Sequence, residues 1–93
     1  MATKQSFNPD RLSSQPPSEA DFVAALSRYQ DAHGLDNTAF AYTLAVSDSL
    51  WRHTKAGRLP LGFRLLTAGA EMISHSVYQA AESSLVKRKG LAA

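Results

Sequence analysis

The tightest constraint on this chain is a link of three residues. Asp36 opens one helical pattern, in which Phe40, Ala41 and Leu44 recur on a single face. Ser47 then opens another, with Leu50, Trp51 and Thr54 inward and Gly57 as its stop. Only Ala45-Val46-Ser47 separates them. Two short helices joined so tightly cannot lie side by side antiparallel, so they must cross at a steep angle. A close crossing needs small side chains where the helices meet, which Ala41 and Ala45 supply, and an apolar plug, which Val46 supplies.

The same reading extends in both directions. Ser18-Glu19-Ala20-Asp21 has the S-x-x-D spacing of a capped helix start, and Phe22, Val23, Leu26, Tyr29 and His33 follow on one face until Gly34 stops the helix. Pro60 marks a turn, Leu61 to Met72 reads as a fourth helix with Leu65, Leu66, Gly69 and Met72 or Ile73 inward, and Ser74 opens a fifth that runs to about Lys89. No stretch of alternating β-branched residues suggests a sheet. The expected fold is all-α: a flexible N-terminal arm over 1–17, with Asn8-Pro9 and Pro16-Pro17 in it, a helical core over 18–73, and a C-terminal helix over 74–93.

Composition narrows the function classes. Ninety-three residues close one core and not two, and without cysteine the chain has neither disulfides nor thiolate metal ligands. His33, His53 and His75 are about 20 residues apart, with no acid or second ligand at the spacing a zinc site uses, and no nucleophile elbow or phosphate-cradling glycine loop is present. We therefore expect no metal, no cofactor and no enzymatic activity. No apolar run approaches the ~20 residues of a membrane helix, and MATKQSFNPDR lacks the apolar core of a signal peptide, so the expected location is the cytoplasm. The net charge is only +2, but it is unevenly placed: residues 18–46 carry a net −3 and residues 47–64 a net +3. Basic charge thus gathers around the third helix.

Residues 35–60, LDNTAFAYTLAVSDSLWRHTKAGRLP, resemble the lambda-repressor-like (Cro-type or Xre-type) helix-turn-helix family, whose pattern is roughly L-T-Q-x-x-L-A-x-x-L-G-V-S-x-x-x-I-S-x-x-E-x-G-x-x-x-P. Leu35, Phe40, Ala41, Leu44, Val46, Ser47, Trp51, Gly57 and Pro60 fall in register without a gap. The resemblance covers about residues 20–73, with the helix-turn-helix at about 36–57. There are departures: Asn37 replaces a glutamine, Lys55 a frequent glutamate, and Trp51 a smaller apolar residue. Ala45 replaces the turn glycine, and alanine fits there only if the backbone avoids a strongly left-handed conformation.

The resemblance implies a sequence-specific DNA-binding protein whose third helix enters the major groove of double-stranded DNA. Its N-terminal part, from Ser47, would bring Asp48, Ser49, Arg52 and His53 to the bases: Arg52 to a guanine, Asp48 to a cytosine amine, Ser49 and His53 to base edges or phosphates. Asn37, Lys55 and Arg58 suit phosphates. Plain readings stand beside these, since Arg52 and His53 also fit a solvated surface and Asp48 fits a first-turn acid that favours the helix dipole. In the fifth helix Val77, Tyr78, Ala81, Leu85 and Val86 form one apolar stripe, to be buried against a second copy or against the chain's own core. A homodimer follows the habit of small repressors of this family, such as those of phages and plasmids, on a palindromic operator. Two other functions fit the same domain: an antitoxin with a toxin protein as partner, and a protein-interaction module that does not bind DNA.

Overall fold

The structure is a computed structural model that describes residues 16–90; the arm expected over 1–17 lies outside this range except for its last two residues. Five α-helices follow one another: α1 (Pro17–Ala32), α2 (Asn37–Leu44), α3 (Asp48–Lys55), α4 (Phe63–Gly69) and α5 (His75–Arg88), with a short 3₁₀ turn (Ala70–Met72) before the last. The described residues contain no strand, so the all-α expectation holds. None of the helices is long and apolar enough to cross a membrane.

The first helix starts two residues earlier than a Ser18 cap predicts. Pro16 stands at the cap and Pro17 takes the first helical position, where its fixed φ suits the helix and its missing N–H costs nothing. The amides of Glu19 and Ala20 find the Pro16 carbonyl instead of a side chain, so the Ser18–Asp21 capping box does not form. Asp36 and Ser47 do cap as expected. The Asp36 carboxylate accepts from the Ala39 N–H at 2.7 Å, and the Ser47 hydroxyl oxygen from the Leu50 N–H at 3.0 Å, each bond contributing about 1 kcal/mol.

The exits of α1, α2 and α3 follow one scheme. After α1, the Leu35 N–H returns to the Gln30 carbonyl and that of Gly34 to Asp31; after α3, the Arg58 N–H returns to His53 and that of Gly57 to Thr54. These paired bonds form Schellman caps, which put the residue past the helix end in the left-handed region. Gly34 and Gly57 take it at φ 65° and 83°. The α2 exit is closed identically, Val46 N–H to Ala41 and Ala45 N–H to Tyr42, yet the left-handed residue is Ala45, at φ 59° and ψ 39°. The expectation that the backbone avoids this region at Ala45 is therefore overturned. The short link to α3 requires the sharp exit whatever residue occupies it.

The fourth helix is shorter than the predicted 61–72. Gly62 is extended and has no side chain to cap with, so α4 starts at Phe63, and Leu61 enters the core from the preceding segment. The core gathers Phe22, Leu26, Phe40, Trp51, Leu65 and Leu85, among others, at its centre. Along its length α1 packs on α5, and it also meets α3; α2 lies against α3 and α4. His33, expected on the inner face of α1, is exposed past its end, where its ring lies 4.1 Å from that of the half-buried Tyr29.

Among the described residues three polar ones are buried, Glu19, Gln30 and Thr54. Glu19 is 0% exposed, and its carboxylate accepts from the Ser84 hydroxyl at 2.8 Å and from the Arg88 guanidinium at 2.8–3.2 Å. Arg88 also donates to the Leu61 carbonyl at 2.6 Å. Arg88 thus clamps the start of α1 and the approach to α4 onto the end of α5.

Candidate nucleic-acid interface

The third helix has two sharply different sides. Trp51 and Thr54 are sunk in the core, at 0% and 2% exposure, and the Trp51 ring meets Phe40 edge-on with centroids 5.1 Å apart. Opposite them Ser49 and Arg52 are exposed, and Asp48 and His53 are half-buried. An eight-residue helix with so heavy an anchor has little freedom to tilt or roll, and its outer side chains project from a fixed base.

What fixes the anchor is a glutamine that hydrophobic periodicity passes over. Gln30, only 3% exposed, accepts the Trp51 indole N–H at 3.1 Å and donates its own amide to the Leu35 carbonyl at 3.0 Å and to Asn37 Oδ1 at 2.9 Å. The Lys55 ammonium donates to Gln30 Oε1 at 3.0 Å and to Asn37 Oδ1 at 3.1 Å, and stands 5.8 Å from the centre of the Trp51 ring. One buried amide thus ties α1, the start of α2, and the middle and C-terminal end of α3. The sequence signal was there: Gln30 follows Phe22 and Leu26 at steps of four, a polar residue in line with an apolar stripe.

Asn37 and Lys55, both expected at phosphates, are brought together by this network. The Asn37 carbonyl oxygen is occupied by two donors, which leaves its N–H₂ group. The lysine retains one N–H beyond its two bonds. Both keep a donor for an anion while being oriented by the core.

Asp48 and Arg52 are paired one helical turn apart, Arg52 Nε donating to Asp48 Oδ2 at 2.9 Å. Thr38 of α2 donates to the other carboxylate oxygen at 3.4 Å. An exposed i,i+4 pair of this kind contributes only about 0.3–0.5 kcal/mol, so its effect is mainly orientation: Nε is held, and the bond to Asp48 leaves the two terminal nitrogens with their donors. His53 Nδ1 accepts from Arg58 Nε at 2.9 Å, which leaves the proton of the neutral ring on Nε2. The eight residues expected at DNA therefore fall into an orienting set and an outward-facing set along α3 and its flanks, with Ser47 holding the helix start.

The stripe on α5 divides differently. Ala81 and Leu85 are fully buried inside the single chain, while Val77, Tyr78 and Val86 are half-buried. Two of the five residues expected at a dimer interface are thus spent on the chain's own core. Comparison with protein-family models, curated proteins and solved structures finds no match.

Proposed function

We propose that this chain is a sequence-specific double-stranded DNA-binding protein of the lambda-repressor-like type, a small transcriptional regulator that sets α3 in the major groove. The observation that carries this reading is the pairing of a buried Trp51–Gln30 anchor with an Asp48-held Arg52 on the opposite side of the same short helix. A groove-reading helix needs one side locked and the other rich in directed donors. The local net charge of +3 over residues 47–64 matches a phosphate surface. Thr38, in the first turn of α2, bonds Asp48 of α3, so the start of α2 lies beside the outer side of α3.

In this role Arg52 reads a guanine through its terminal nitrogens, and Asp48 orients it rather than contacting a cytosine. His53, with its donor on Nε2, and Ser49 meet base edges or phosphates; Asn37, Lys55 and Arg58 meet the backbone. A second copy joins through what remains of the α5 stripe, Val77, Tyr78 and Val86, and the pair binds an imperfect palindrome. Its half-site centres lie about 34 Å apart, one turn of the duplex.

Selection of bound fragments from random duplex DNA, followed by Arg52→Ala and Arg58→Ala on the selected site, tests the reading. Arg52→Ala is expected to cost about 1–3 kcal/mol and to relax preference at one base pair per half-site, whereas Arg58→Ala weakens all sequences alike. Equal loss on selected and random DNA would remove Arg52 from the reading set.

A further inference from the structure

Asp48 is the only carboxylate between residues 47 and 64, a stretch that also carries Arg52, Lys55, Arg58 and Arg64. It stands in the first turn of α3, where an acid favours the helix dipole, although the Ser47 hydroxyl already caps that helix start. On a surface that meets phosphates the same charge is a cost, because it repels every duplex whatever its sequence.

The geometry around the carboxylate gives the charge a use. Its two oxygens are bound separately: Oδ2 accepts from Arg52 Nε at 2.9 Å, and Oδ1 from the Thr38 hydroxyl of α2 at 3.4 Å. Asp48 is thus tethered to a second helix while it holds the guanidinium at one edge. A free arginine on an exposed helix side reaches a phosphate on any sequence, and a phosphate contact carries no sequence information. Arg52 held at Nε has its terminal pair of nitrogens left to offer, and two parallel N–H donors match O6 and N7 of a guanine.

We propose that Asp48 sets the selectivity of α3 by withholding Arg52 from the phosphate backbone. Its charge lowers affinity for all duplexes, and a guanine opposite the terminal nitrogens of Arg52 restores it. Asp48 is a positioning residue that acts through Arg52 and touches no base. This inference rests on the DNA-binding reading and adds a sign to it: removing this polar side chain strengthens binding to unselected DNA.

The experiment measures the affinity of the full chain for its selected duplex and for random duplex between 50 and 200 mM salt, comparing the parent with Asp48→Asn, each with Arg52 present and in an Arg52→Ala background. Asparagine keeps the size and loses the charge. With Arg52 released to a phosphate, random duplex should bind about tenfold more tightly and its salt dependence should steepen by about one phosphate. The ratio of selected to random affinity should fall about tenfold. In the Arg52→Ala background, Asp48→Asn should raise both affinities by the same factor and leave the ratio unchanged. Equal gains on both duplexes with Arg52 present would make Asp48 a repelling charge and no more; equal losses with a lowered Tm would make it a helix-start residue. Either result overturns the proposal. If the parent prefers no duplex over random DNA, the DNA reading itself fails, and this proposal with it, before Asp48 is altered.

Discussion

Replacing Ala45 with glycine should stabilise the protein, although glycine within a helix is ordinarily the more costly residue. Among the described residues four helix exits turn left-handed, and Gly34, Gly57 and Gly90 occupy three of them; Ala45 alone of the four carries a Cβ, at φ 59°. That Cβ costs about 1–2 kcal/mol in the left-handed region. Ala45 is exposed, so its methyl group returns little by burial. Glycine removes the strain but enlarges the unfolded ensemble, at about 0.4–1 kcal/mol. The difference is a gain of about 0.5–1 kcal/mol, and in a domain of this size that raises Tm by about 2–8 °C. Thermal unfolding followed by circular dichroism measures it, and urea unfolding should show a higher midpoint at unchanged slope. Ala39→Gly, two turns earlier inside α2, is the control and should cost about 0.5–1 kcal/mol. If Ala45→Gly lowers Tm as Ala39→Gly does, the left-handed exit and the account of how α2 meets α3 are wrong.

Arg88→Met leaves the Glu19 carboxylate buried with only Ser84, and should cost about 3 kcal/mol, the lower end for a broken buried pair because Arg88 is partly exposed; combining it with Glu19→Met should recover most of the loss in the same urea titration. Gln30→Ala strands the Trp51 indole N–H and releases Lys55 and Asn37, for a loss of about 1–3 kcal/mol with a changed tryptophan emission; an unaltered Cm would dismiss the network as an anchor. A chain ending at Ser74 loses Ala81, Leu85 and Arg88 from the core, so it should lose cooperative unfolding at any concentration, and a sharp two-state transition in that fragment would show that α5 is dispensable to the fold.

Much of this architecture is legible in local signals, because caps and periodicity are local physics. Asp36, Ser47, Gly34 and Gly57 fall where such reasoning puts them, and Phe40, Ala41, Leu44 and Trp51 are inward as their spacing requires. The misreadings share a cause in partners distant along the chain. Glu19 looked like a first-turn acid because Arg88, 69 residues away, completes its meaning. Gln30 has no local signal of its role because Trp51 and Lys55 lie 21 and 25 residues on. For Ala45, residue preference argued against the left-handed region, and the closing bonds from Val46 and Ala45 to the end of α2 outweighed it. At the candidate interface, the residue types were readable on the outer side of α3, but not that Asp48 holds Arg52 or that Arg58 holds His53.

The most direct test of the central claim is the affinity of the full chain for its selected duplex across a salt series. If about six phosphates are neutralised by the charge around α3 and its flanks, binding should weaken on the order of 10³-fold between 50 and 200 mM salt. A salt-independent affinity, or no duplex selected over random DNA at any salt concentration, would contradict the claim that α3 is a DNA-reading helix.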